Sequence, residues 1–84
     1  MFQAYPNPFN PTTELSFTIP ENGVTSLTIY DIQGREIERL VDGMRQAGTH
    51  EISWNATALP SGIYFARLSS ENGQVQTQKL VLMK

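Results

Sequence analysis

The sequence predicts an all-β fold, an antiparallel two-layer sandwich of about seven short strands. Three observations carry that prediction. Apolar and polar residues alternate over short runs, the period-2 mark of strands with one buried face. Turn residues recur roughly every 8–12 positions, the spacing of a small sandwich. With 84 residues and no cysteine, the chain makes one domain with a thin, unstapled core, hiding roughly 60–65% of its unfolded surface.

The chain opens with Tyr5-Pro6-Asn7-Pro8-Phe9-Asn10-Pro11. Its prolines fix φ and remove backbone donors, so residues 1–12 read as an extended or turn-rich arm, with Tyr5 and Phe9 as rings that anchor it. The sandwich is expected to fill 13–84. Leu15, Phe17 and Ile19 alternate with polar neighbours as a first strand. Pro20-Glu21-Asn22-Gly23 then turns into a second, Val24 to Tyr30, with Leu27 and Ile29 on one face. Asp31-Ile32-Gln33-Gly34 has Asp first and Gly fourth, as a type I turn prefers. Both turns are expected to close hairpins.

Glu36 to Met44 is ambiguous, because Ile37, Leu40 and Val41 fall at helical spacing. Gly34 and Gly43 leave too few residues between them for a stable helix, so the stretch reads as a strand. After Gln46-Ala47-Gly48, His50, Ile52 and Trp54 share one strand face. A loop, Asn55 to Gly62, leads to Ile63–Leu68, whose bulky groups on both faces mark an inner strand. Ser70-Glu71-Asn72-Gly73 is a hairpin turn, Asn-Gly tolerating positive φ. Val75 to Lys84 is the last strand. Each of the six glycines is assigned to a separate turn.

Several function classes find no support. Six basic residues against eight acidic ones give a net charge of −2, and the scattered cations form no phosphate-binding stripe, so no nucleic-acid partner is expected. No apolar run approaches the roughly 20 residues of a membrane span. Met1-Phe2-Gln3-Ala4 lacks the basic and hydrophobic regions of a signal peptide; an inner-membrane signal is expected on a larger parent chain. His50, the single histidine, reads as half-buried and structural, and no catalytic pair, cofactor or metal site is expected. Asp31, Glu36, Glu38 and Asp42 match no calcium loop and read as a solvated charged face. Trp54 is assigned to the core rather than to a sugar-stacking platform, and Asn55-Ala56-Thr57 is a formal glycosylation acceptor.

The Tyr5–Pro11 segment, Tyr30-Asp31-Ile32-Gln33-Gly34-Arg35, Gly48-Thr49-His50, Trp54, Leu59-Pro60-Ser61-Gly62-Ile63-Tyr64 and the lysine-bounded last strand occur in an order that resembles the type A C-terminal sorting domains of the type IX secretion system. The resemblance spans essentially the whole chain. It implies a seven-stranded immunoglobulin-like sandwich ending a larger secreted protein, which it addresses through an outer-membrane translocon. It further implies removal by a surface sortase-like protease, before the Pro-Asn-Pro segment, and release or surface attachment of the cargo after passage through the periplasm. The recognition residues it implies are Pro6, Asn7 and Pro8, then Gly34 and Arg35, and finally Lys79, Leu80, Val81, Leu82, Met83 and Lys84. The last strand is expected to offer an open sheet edge to a receptor strand, guarded by its lysines. The immunoglobulin-like domain of the flagellar hook-capping protein has a similar layout, so a scaffold or accessory sandwich is the alternative, and a carbohydrate-binding module a third.

Overall fold

A computed structural model describes residues 2–71 and 73–84 as two packed antiparallel sheets. The strands are β1 (Phe2–Tyr5), β2 (Thr12–Ile19), β3 (Gly23–Asp31), β4 (Glu36–Arg45), β5 (Gly48–Asn55), β6 (Gly62–Ser70) and β7 (Val75–Leu82). One sheet has the order β1-β2-β5 and the other β4-β3-β6-β7. The expected all-β sandwich of seven strands is therefore the observed fold. The first four described residues of the proline-rich lead-in are themselves a strand, with Phe2 opposite Phe17.

Alternation places the core. Leu15, Phe17 and Ile19 from β2, Leu27 and Ile29 from β3, Tyr64, Ala66 and Leu68 from β6, and Leu80 and Leu82 from β7 are all buried. Trp54 joins them from β5, its ring edge-on to Tyr64 and tilted against Phe9, at 5.8 and 5.5 Å between centroids. These three rings tie the lead-in, one sheet and the other into one core. As the inner-strand reading required, β6 lies between β3 and β7. Tyr64 points inward from it, while Phe65 on the opposite face is only half-buried.

Two expectations need correction. Pro20–Gly23 does not close a hairpin, because β2 and β3 belong to different sheets and the turn carries the chain across the sandwich. Gln46-Ala47 makes a second crossing and the Asn55–Gly62 loop a third. The hairpins are β3–β4 and β6–β7, together with the antiparallel β1–β2 pair. Gly43 lies inside β4, opposite Thr25, rather than at a turn. Asn72 of the Ser70–Gly73 turn lies outside the described residues; across the turn, Gly73 N–H donates to Ser70 O at 3.0 Å.

The strand reading of residues 36–44 holds, and the structure explains its helical look. In the β3–β4 ladder Thr28 faces Arg39 while Leu27 faces Val41, and Tyr30 faces Glu36 while Ile29 faces Glu38. Leu40 and Ile37 are thus the extra residues of two bulges. Each bulge inserts one residue and breaks the two-residue alternation.

Candidate recognition site

β7 is the outermost strand of its sheet. An outer strand exposes a row of N–H and C=O groups that can recruit another chain. Here the proline-rich arm takes that row. The side chain of Asn7 donates from Nδ2 to Lys79 O at 2.8 Å and accepts from Val81 N–H at Oδ1 at 3.0 Å. A primary amide has one carbonyl and one NH2, so it can replace a residue of a neighbouring strand. Phe9 continues the pairing with its backbone. Its N–H donates to Val81 O and its carbonyl accepts from Met83 N–H, both at 2.9 Å, in a parallel bridge between Phe9 and Leu82.

Three contacts hold the arm in place. The Phe9 ring is 2% exposed, inserted against Trp54. Thr13, buried in β2, donates from Oγ1 to Pro6 O at 2.8 Å. Ala56 N–H donates to Pro11 O at 2.9 Å. Of the two rings expected to anchor the arm, only Phe9 does so; Tyr5 is 80% exposed. The peptide bonds preceding Pro6, Pro8 and Pro11 are cis.

The expected open edge on the last strand is therefore corrected. Between Lys79 and Met83 it is already paired, with residues 7–9 of the same chain. The candidate residues of β7 also differ in kind. Leu80 and Leu82 are core side chains, at 0% and 1% exposure. Val81 is half-buried, while Lys79, Met83 and Lys84 are exposed. Lys84 reaches back to the β5–β6 loop, its N–H donating to Ser61 Oγ and its Nζ to Thr57 O.

Gly34 and Arg35 form the β3–β4 turn. Gly34 N–H donates to Asp31 O at 3.0 Å, and its φ of +85° is one that a side chain would strain. The Asp31 carboxylate accepts from Gln33 N–H and Arg35 N–H at Oδ1 and from Arg35 Nε at Oδ2, at 2.9, 3.0 and 2.9 Å. Chiefly the Arg35 N–H holds this carboxyl below its ordinary value of 3.8; desolvation, the next largest influence, opposes it, and the Arg35 guanidinium and the Gln33 N–H add to the lowering. Pairing of Asp31 with Tyr64 and of Gly62 with Leu82 puts the turn, the start of β6 and the end of β7 at one end of the sheet. A groove of about 340 Å3 separates the turn from the β5–β6 loop, lined by Ile32, Arg35, Ile37, Leu59, Ser61 and Tyr64 among others.

The structure thus brings the first and last candidate segments into direct contact and stands the middle one at the same end. Thr13 and Ser61, which hold the arm and the chain end, were not among the sequence candidates. A threonine at the first inward-facing position of β2 is the available signal, because a buried hydroxyl requires a partner.

The other residues considered have structural partners. His50 is half-buried, stacked on Phe17 at 5.5 Å, with Nε2 2.8 Å from Gln46 O. The acidic residues pair separately: Asp31 with Arg35, Glu36 and Asp42 with Arg39. Glu38 accepts from Trp54 Nε1 at 3.1 Å. Among the described residues no three acidic, histidine or cysteine side chains converge as metal ligands. Trp54, 1% exposed, presents no open face for stacking on a sugar.

A family model described as a secretion system C-terminal sorting domain matches residues 3–83. No curated protein matches the chain. Among solved structures, the chain is similar to PorZ of Porphyromonas gingivalis, an essential bacterial surface component of the type IX secretion system, with a TM-score of 0.72 and 19% identity. The match covers 99% of this chain and 11% of PorZ, and at that identity the likeness is one of fold.

Proposed function

This chain belongs to the secretion system C-terminal sorting domains, the sorting signals of type IX secretion, and we propose that its address is the surface where the two chain ends meet. The observation that carries the reading is the pairing of Asn7 and Phe9 with Lys79–Met83. It joins into one surface two segments that the resemblance marks separately. The exposed side chains of β7 and its extension, Lys79, Met83 and Lys84, are the part that a translocon component reads. Pro6, Asn7 and Pro8 belong to the arm that pairs with its outer edge. Gly34 and Arg35 shape the adjoining turn, where the outer nitrogens of the Arg35 guanidinium face solvent.

On this reading the domain is a non-catalytic tail of 1–84, with cargo on the same parent chain. The cargo passes through the periplasm, crosses the outer membrane, and is attached or released after a surface sortase-like protease removes the tail. A scaffold or accessory sandwich shares the fold, but the family match over residues 3–83 favours sorting.

Deleting Leu80–Lys84 is a poor test, since it removes two core leucines. A better one fuses the intact domain to a reporter that carries its own signal peptide, in a type IX-competent host. Export is expected in that host and periplasmic retention in a strain lacking the translocon. Lys79→Glu with Lys84→Glu is expected to retain the reporter while the domain stays folded. Equal export with and without the translocon would refute the sorting reading. Equal export of the charge-reversed variant would move the address off β7.

A further inference from the structure

The arm closes the β7 edge without forming a long strand, and its construction differs from that of an ordinary edge partner. Of its four hydrogen bonds to β7, two come from the Asn7 side chain and only two from the Phe9 backbone. Pro6 and Pro8, on either side of Asn7, have no N–H to offer in any direction. The arm therefore terminates the sheet: it satisfies β7 inwardly, and at both prolines no donor is available to a further strand. Pro6, Asn7, Pro8 and Asn10 are exposed, so one inserted ring, Phe9, and one buried hydroxyl, Thr13, carry most of the attachment.

Beneath the arm lies an ordinary strand edge. Lys79 O, Val81 N–H, Val81 O and Met83 N–H alternate acceptor and donor in register for an extended segment, and the Phe9–Leu82 bridge sets its direction as parallel to β7. β7 belongs to the four-stranded sheet through β6, whose ladder with it runs from Gly62 to Ser69 independently of the arm. Removing the arm would leave β7 in place with Val81 N–H, Val81 O and Met83 N–H unpaired, while Lys79 O would keep its bond from Gln78 Nε2 at 3.3 Å. An unpaired row of that kind is what strand addition uses.

We propose that the Pro6–Phe9 arm is a displaceable strap, and that the receptor for this sorting domain adds an extended strand to β7 by replacing it. This rests on the sorting function above. The strap keeps the edge closed in the free domain, which prevents pairing between copies of the chain. The receptor strand takes over the same four groups at Lys79, Val81 and Met83, parallel to β7. Its affinity is lowered by the fraction of time that the strap is closed.

Two measurements test this. In the purified domain, Asn7→Ala removes both side-chain bonds, and exchange of the Val81 and Met83 amides is expected to rise about tenfold, while amides of the β3–β6 ladder keep their rates. In the reporter fusion Asn7→Ala is expected to export at least as well as the parent. Asn10 and Met83 follow the paired Phe9 and Leu82 and are both exposed, so Asn10→Cys with Met83→Cys fastens the strap by a disulfide. The double variant, with its disulfide verified on a non-reducing gel, is expected to be retained in the periplasm relative to Met83→Cys alone, which controls for the altered side chain, while Asn10→Cys alone is exported like the parent. Export of the fastened domain at the parental level would overturn the strap, as would unchanged amide exchange in Asn7→Ala. Loss of export in a folded Asn7→Ala would also overturn it, showing that the arm is read directly. If Met83→Cys alone stops export, the two Asn7→Ala readouts decide by themselves. Failure of the parental fusion to be exported would instead refute the sorting function, so the two failures are distinct.

Discussion

Asp31 stabilises its turn through a carboxylate that accepts two backbone N–H groups and one guanidinium N–H. Its pKa lies below the ordinary 3.8, with the Arg35 backbone N–H the largest cause. A carboxyl depressed in the folded state contributes stability above its unfolded value, and the contribution disappears as pH falls through the lower folded one. The turn should therefore be unaffected between neutrality and about pH 4 and loosen only in stronger acid. Arg35→Ala removes the guanidinium but leaves the backbone N–H, so the Asp31 carboxyl should rise only part of the way, as an NMR titration would report; a return to 3.8 would mean that the side chain dominates. This motif was legible in the sequence because its partners lie within four residues. Asn7 was named in the sequence only through the resemblance, as a recognition residue, and its pairing with the last strand was not legible, because its partners are 72 and 74 residues away. No local pattern encodes that distance. Trp54 was legible as core, but its Nε1 bond to Glu38 was not, since a bulge sets the register that brings Glu38 there.

At the scale of elements, alternation revealed the strands but not their partners. Pro20–Gly23 and Asp31–Gly34 are similar turn sequences, yet the first carries the chain from one sheet to the other and the second closes a hairpin. The difference lies in which sheet buries the next apolar face, a property of the whole core. β4 was ambiguous for a different reason: an edge strand tolerates bulges, and two of them mimic helical spacing. Its other edge has no strand partner in the sheet order, and Glu36, Arg39 and Asp42 line it with charge, the usual protection of such an edge. β7 uses the arm instead. Alternation along β7 then separates buried from exposed side chains. Leu82→Ala should cost about 2–5 kcal/mol in chemical denaturation, as a fully buried leucine does, while Met83→Ala should fall within about 0.5 kcal/mol of the parent. A comparable loss at both positions would mean that Met83 is packed rather than presented.

In the whole molecule the two ends of the chain complete each other. β1 and the arm come from the first eleven residues, and the arm closes on β7, the last strand. Phe9 from one end and Leu80 and Leu82 from the other share a single core with Trp54. Pairings of such high sequence separation form late, because loop-closure entropy must be offset before they contribute. A chain that lacks its last residues therefore has neither a cover for β6 nor a seat for the arm. Losing both leucines costs about as much as a small domain's entire stability, roughly 5–15 kcal/mol. The domain should then be folded only when β7 is intact. Trp54, the single tryptophan and 1% exposed, gives the readout. In the full chain its emission should be blue-shifted, shielded from iodide, and lost in one cooperative thermal step. A chain ending at Lys79 should show solvent-exposed emission and no cooperative step, whereas removal of Lys84 alone, which is exposed and bonds to the β5–β6 loop, should preserve the transition. A cooperative transition in the chain ending at Lys79, within a few degrees of the parent, would mean that the sandwich closes without Leu80–Lys84.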